Sequence, residues 1–220
     1  MNTARALALF DLDGTITRRD TLLPFLAAGL ARRPSRWLYL LGVLPGALAG
    51  FAWRRDHGAF KGALIRAVFG GLSRADIDAL AAKFVPRLLR RGVFTEALER
   101  IAAHRARGDR LILLSASTDL YVPRIAAALG FEECHCTQVR WNAGHLDGRL
   151  AGPNQRGEEK TRSLQGLIER LRPARVYAYG NSDSDLPHLR LADEAWFING
   201  SVPAVDSLRI RPARWRGRRT

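Results

Sequence analysis

Phe10-Asp11-Leu12-Asp13-Gly14-Thr15 sets two carboxylates two residues apart, directly behind an apolar run and ahead of a glycine. If that run is a strand, both acids lie at its carboxyl end, where parallel sheets bind ligands. Close carboxylates repel, and one pKa rises unless a cation or a reaction keeps the pair in place. Magnesium suits such a pair, because it takes oxygen ligands and commonly binds carboxylates together with a substrate phosphate. An ordinary Asp-Gly turn after a strand has the same local sequence, so this motif needs company. It has some: Ser115 follows a second apolar run, Lys160 ends Gly157-Glu158-Glu159-Lys160, and Asn181, Asp183 and Asp185 follow a third run.

The elements that must position these groups read as α/β. Ala6 to Phe10, Leu111 to Leu114, Val176 to Tyr179 and Ala195 to Ile198 are short continuous apolar runs, the pattern of strands buried on both faces. Thr95 to Arg107, Leu120 to Leu129 and Thr161 to Leu171 carry apolar residues at helical spacing, with Gly108 and Gly130 where C-terminal caps belong. Alternating strand and helix predicts a doubly wound, mainly parallel sheet of the Rossmannoid kind. The first run is too short for a secretory leader and predicts a buried strand.

An insertion interrupts this alternation. The expected division is a catalytic core made of residues 1–17 and 92–220, with a helical cap over 18–91 and no strand within it. Inside the cap, Trp37 to Trp53 is seventeen residues without a charge, preceded by Arg32, Arg33 and Arg36 and followed by Arg54 and Arg55. Pro45-Gly46 at its middle predicts a break between two shorter helices. Three readings stay open: cap helices packed on each other, an interfacial segment anchored by its terminal aromatics, or a short span.

Taken in order, strand-end Asp-x-Asp, strand-end Ser, Lys and a strand-end acidic cluster resemble the four motifs of the haloacid dehalogenase-like hydrolases. The resemblance runs from Phe10 to about Gly200, and the insertion lies where that superfamily's type-1 cap belongs. Ser115-Ala116-Ser117, Gly152-Pro153-Asn154 and Asp185-Leu186-Pro187 are similar to subfamily IB, which holds phosphoserine phosphatases and phosphatidylglycerophosphatase C-type enzymes. The resemblance implies Asp11 as a nucleophile forming an aspartyl-phosphate and Asp13 as the acid and base, with its backbone carbonyl on Mg²⁺. It implies Ser115, Ala116, Gly14 and Lys160 around the phosphate. Asp11, Asp13, Asn181 and Asp185 are the implied metal residues, Asp185 directly or by orienting a ligand. Asn181 stands where phosphoserine phosphatases have Asp, and Asp183 is an alternative source of the missing charge.

The resemblance thus implies a Mg²⁺-dependent phosphomonoester hydrolase. In the cap, Asp20 stands where a Glu holds the ammonium of phosphoserine, and Ala67 falls at the position of an Arg that holds its carboxylate. The apolar run instead resembles a segment of the phosphatidylglycerophosphatase C-type proteins, which favours a phosphorylated lipid or other amphiphile over a small metabolite.

The 220 residues, 47% hydrophobic and 25% charged, exclude a disordered or collagen-like chain. Cys134 and Cys136 flank one histidine, lack the spacing of a zinc site, and point to a reduced, cytoplasmic setting. The net charge of +14 comes from 32 arginines and only 3 lysines against 21 acids. Six of the arginines lie between Arg209 and Thr220, read as a solvated arm that would draw the protein to an anionic surface such as the inner face of the membrane. A non-catalytic anion- or membrane-binding protein on a hydrolase fold is the rival of a different class, which the intact Asp11, Asp13, Ser115 and Lys160 disfavour. No nucleic-acid motif accompanies the charge, and no nucleic-acid partner is expected.

Overall fold

The computed structural model describes residues 5–216. In chain order the elements are β1 (Leu7–Phe10), α1 (Leu22–Arg32), α2 (Arg36–Arg54), α3 (His57–Phe69), α4 (Arg74–Arg91) and α5 (Thr95–Ala106). There follow β2 (Arg110–Thr118), α6 (Val122–Leu129), β3 (Glu133–Thr137), β4 (Val139–Asn142), β5 (His145–Leu150) and α7 (Glu158–Leu171). β6 (Val176–Gly180), α8 (Leu186–Leu189), β7 (Glu194–Ile198) and β8 (Ile210–Ala213) complete the series. Six strands form one sheet in the order β3-β2-β1-β6-β7-β8, parallel at every pairing. β4 and β5 make a separate antiparallel hairpin.

The continuous apolar runs are explained by the two faces they serve. Ala8, Phe10, Leu111 and Leu113 pack on one side of the sheet with α5, α6 and the inserted helices. Leu7, Leu9, Ile112 and Leu114 pack on the other with Leu164 and Leu167 of α7. Strand period two sends alternate residues to opposite faces, so a strand covered on both sides must be apolar throughout. Phe10, Tyr179 and Trp196 stack across β1, β6 and β7 with centroids 4.3 and 4.7 Å apart, which fixes the centre of the sheet.

The inserted helices share the core rather than forming their own. Phe25 of α1 meets Phe69 of α3, Phe84 of α4 and Tyr121 at 5.2, 5.1 and 4.6 Å. α2 is the exception, having no buried residue. The expected break at Pro45-Gly46 is absent, and α2 is one helix with Pro45 inside it. Pro45 is exposed, so water can take the Leu41 carbonyl that the missing N–H leaves free, and the open side gives the ring room. Among the described residues no helix is long and apolar enough to cross a membrane.

The C-terminal segment departs from the expected solvated arm. Ile210–Ala213 forms edge strand β8 on β7, and Trp215 is buried against Phe94 and Tyr179. Residues 217–220 of that arm lie outside the described residues. β3, which contains Cys134-His135-Cys136, and the β4–β5 hairpin are strands in a stretch where no strand was expected.

Candidate active site

The carboxyl ends of β1, β2 and β6 meet at a cleft of about 530 Å³ that the inserted helices roof. Asp11, Asp13, Gly14, Ala116, Lys160, Asn181 and Asp185 all line it. Ser115 is adjacent but fully buried, and its Oγ accepts the Ser117 N–H at 3.0 Å. β2 runs on past Leu114 to Thr118, so Ala116 and Ser117, not Ser115, border the cleft. Asp183 is exposed and away from the lining, which leaves Asn181 as the residue of the pair at the site.

Lys160 stands in the first turn of α7 and is buried. Its Nζ donates to Asp11 Oδ1 at 2.5 Å and to Asp185 Oδ1 at 2.7 Å. Burial opposes the lysine's charge, but the two carboxylates outweigh that and raise its pKa. Burial likewise works against the charge of Asp185, and Lys160 overrides it, holding Asp185 down at about 2. The other oxygen of Asp185 accepts the Asn181 N–H, the Ser182 N–H and the Ser182 hydroxyl at 3.2, 3.1 and 2.7 Å. Both Asp185 oxygens are therefore engaged inside the protein. Asp11 differs: burial above all, with Asp185 and Asp13 adding and Lys160 opposing, holds it up at about 7.

Asp13 is held from the cap side. Its Oδ1 accepts the Thr21 N–H and hydroxyl at 2.7 and 2.6 Å, and its Oδ2 accepts the Ser117 hydroxyl at 2.6 Å. Tyr121 backs Thr21 with a 2.9 Å hydroxyl contact. Burial raises the Asp13 pKa, the right direction for a carboxyl that must carry a proton at neutral pH. Asp20 uses Oδ1 to accept the Leu22 and Leu23 N–H groups at the start of α1, and it borders the cleft.

Sequence reasoning missed three contributors. Thr21 and Ser117 carry Asp13, and Lys61 of α3 reaches into the cleft, donating to the Ala116 carbonyl at 2.5 Å and to Asn154 Oδ1 at 2.7 Å. Burial lowers the Lys61 pKa to about 8. Its scarcity was the available signal, since Lys61 is one of 3 lysines in the chain.

The donor set fits a hard divalent cation. Asp11, the Asn181 amide and the backbone beside Asp13 offer oxygen only, and the crowded acids gain from added positive charge. Gly14, at φ +81°, lets the Asn181 amide pack against the Asp11–Gly14 turn, and Thr15 Oγ1 donates to Asn181 Oδ1 at 3.3 Å. Among the described residues no three His, Cys, Asp or Glu side chains cluster as a metal cage, so a cation here needs the amide and backbone oxygens as well.

An all-parallel sheet with strand-end acids, a buried lysine and a helical insertion after the first strand places this chain among the doubly wound α/β proteins, with its site at the carboxyl ends of the strands. Residues 8–190 match the sequence profile of the haloacid dehalogenase-like hydrolases. The chain is similar to the CicA protein of Caulobacter vibrioides, 33% identical over 196 residues that cover 86% of this chain and 83% of that one. It is also similar to a probable phosphatase of Mycobacterium tuberculosis, 30% identical over 207 residues, 89% of this chain and 69% of that one. In fold it resembles a protein of unknown function from Bordetella pertussis Tohama I (TM-score 0.76, 21% identity, 95% and 99% covered). A probable phosphoserine phosphatase from Vibrio cholerae is a further fold neighbour (TM-score 0.71, 15% identity, 97% and 61% covered). The chain belongs to the haloacid dehalogenase-like hydrolases and is a phosphatase.

Proposed function

We propose that the chain is a Mg²⁺-dependent phosphomonoesterase that works through an aspartyl-phosphate on Asp11, under a cap formed by residues 18–91. The observation that carries this is the asymmetry between the acids. Both oxygens of Asp185 are spent on protein donors, whereas among the described residues only Oδ1 of Asp11 is, through Lys160. Oδ2 of Asp11 then attacks phosphorus in line with the departing alcohol, and the P–O bond to that alcohol breaks. Asp13, positioned by Thr21 and Ser117 and made easier to protonate by its burial, gives its proton to the leaving oxygen from the carboxyl oxygen that turns away from Ser117. It next takes a proton from water, which attacks phosphorus and releases phosphate from Asp11. Lys160 offsets the charge of nucleophile and phosphate, while Ala116 and Gly14 border the phosphoryl oxygens and the buried Ser115 fixes the Ala116–Ser117 segment behind them.

Asp11, the backbone carbonyl of Asp13 and Asn181 would hold Mg²⁺, with Asp185 orienting Asn181 and Lys160. The ion supplies charge stabilisation for the phosphoryl oxygens. Replacing Asp11 by Asn tests the assignment. Turnover and the hydroxylamine-sensitive phosphoenzyme should both vanish while the melting temperature holds, and a variant keeping more than a few per cent of activity would refute it.

The favoured substrate is a phosphorylated lipid or similar amphiphile met at the inner face of the membrane. α2 supports this: Leu38, Leu41 and Trp53 are 77%, 59% and 89% exposed, and Arg32, Arg33, Arg36, Arg54 and Arg55 flank them. A small zwitterion such as phosphoserine is the second reading, favoured by one feature: Asp20 and Lys61 both line the cleft and offer one charge of each sign.

A further inference from the structure

A second cavity, of about 800 Å³, lies on the far side of α3 from the catalytic cleft. α3 is the partition. His57, Phe60, Lys61 and Leu64 line the cleft, whereas Gly58, Ala59, Gly62 and Ala63 line the second cavity, as helical periodicity requires. Asn154 borders both spaces, so the two meet at the edge of the partition. The opposite walls are Tyr39 and Val43 of α2, with Leu150 and Pro153 after the hairpin. α2 packs on α3 through Phe51, whose ring meets His57 and Phe60 at 4.9 and 5.3 Å, yet no residue of α2 is fully buried, and the cavity lies along the remainder of the contact.

Neither the proposed phosphate chemistry nor the sheet core uses this space. The space opens to solvent, and its wall is apolar along Val43, Ala59, Ala63 and Leu150, a surface that gains free energy when an apolar group covers it. Its volume suits an alkyl chain, and its outer wall leads to the exposed apolar side chains of α2. Its charged lining is confined to the ends, with Asp56 beside Asn154 and with Arg66 and Arg149 toward the β4–β5 hairpin.

We infer that the cavity between α2 and α3 is the tail pocket of the substrate: the phosphomonoester sits over Asp11, the chain passes Asn154, and its apolar end lies between Val43, Ala59, Ala63 and Leu150. This assignment rests on the amphiphilic-substrate reading and makes it specific. It places the tail inside the cap, not merely against a bilayer.

The test is a ladder of soluble alkyl phosphates from ethyl to decyl, each below its micellar concentration. In the wild-type protein kcat/KM should climb roughly three- to fourfold per methylene until the pocket is full, the value expected for burying a CH₂ group. Ala63→Phe and, as the milder change, Ala59→Leu should flatten that climb, cutting the decyl-to-butyl ratio by roughly tenfold or more. A wild-type ladder with no slope would overturn both the pocket and the amphiphile reading. A slope that survives in both variants would overturn the pocket alone, since the tail would then bind elsewhere.

A measurement on the wild type stands free of any folding defect in the variants. Non-hydrolysable decylphosphonate should shift the methyl resonances of Ala59 and Ala63, and ethylphosphonate should not. Shifts confined to Ala116 in the cleft would again remove the pocket and spare the phosphatase assignment.

Discussion

Gly14 faces the side-chain amide of Asn181 so closely that a Cβ on Gly14 would stand 2.0 Å from Asn181 Nδ2. Two motifs 167 positions apart in the chain thus meet with no room for a methyl group, and φ at Gly14 is +81°, where L-residues are strained. Gly14→Ala should therefore displace the amide as well as strain the turn. We expect a stability loss of about 1–2 kcal/mol. The Mg²⁺ concentration for half-maximal activity should rise at the same time. Titrating Mg²⁺ against turnover of p-nitrophenyl phosphate checks this, and an unchanged metal requirement would separate Asn181 from the cation.

Lys160 is the only cation hydrogen-bonded to Asp11 or Asp185 among the described residues. Lys160→Met leaves two buried carboxylates facing each other, a loss on the order of 3–5 kcal/mol. For a chain of this size the melting temperature should fall by roughly 10 °C. The deficit has a direction in pH. Without the lysine both acids sit above their unfolded pKa in the fold, so they oppose folding at high pH and cease to do so once protonated. The gap between variant and wild type should narrow from pH 8 to pH 5. Thermal melts across that range decide it, and a gap that widens toward acid would contradict the pairing.

His188 is wholly buried in α8, and neither ring nitrogen has a hydrogen-bond partner among the described residues. Burial lowers its pKa from 6.5 to about 3, with Lys160 nearby adding to the effect. Between those values the unfolded chain binds a proton that the folded chain refuses. The contribution of His188 is therefore intact above about pH 6.5 and declines as the pH falls, by at most about 1.4 kcal/mol per unit. His188→Met keeps the volume and removes the titration. Its melting temperature should match or exceed that of the wild type at pH 7 and gain on it steadily down to pH 4. Parallel curves would mean that His188 is hydrated or paired in solution.

The chemistry of this chain was legible because its acids, lysine and amide stand at the ends of strands buried on both faces, and such strands write themselves as unbroken apolar runs. Phe10, Leu114 and Tyr179 each mark where a strand nears the cleft. What stayed hidden lacks that signature. β3 is an edge strand whose first three residues are half-buried and whose last two, Cys136 and Thr137, are buried, so it carries polar and apolar side chains without an apolar run. β8 ends the sheet at its other edge, where Arg211 and Pro212 can face solvent and only Ile210 is fully buried. An arginine-rich composition there conceals a strand. Ser117 and Lys61 act at the site through contacts of long sequence separation, which no local pattern encodes, and Thr21 reaches back to Asp13 across a turn with no motif to mark it. The continuity of α2 through Pro45 depends on solvent exposure, a tertiary fact.

The placement of α2 turns its apolar surface into a question that two substitutions can answer. Leu41 and Leu48 are 59% and 48% exposed, so glutamate at both should cost the fold less than about 1 kcal/mol. Had these leucines been cap core, the same changes would have unfolded it. Against a bilayer the outcome differs, because a carboxylate carried into the apolar zone loses several kcal/mol of hydration. The double variant Leu41→Glu, Leu48→Glu should therefore melt like the wild type yet bind vesicles containing phosphatidylglycerol at least tenfold more weakly. The ratio of its turnover on vesicle-embedded phosphomonoesters to that on p-nitrophenyl phosphate should fall in step. Arg54→Gln with Arg55→Gln should remove about 1 kcal/mol per charge, mainly at low salt. Removing the chain after Leu208 is no substitute for these changes, since it deletes β8 and Trp215 and so damages the sheet itself. Unaltered vesicle binding in the double glutamate variant would show that α2 faces water, and the membrane-surface reading would fall with it.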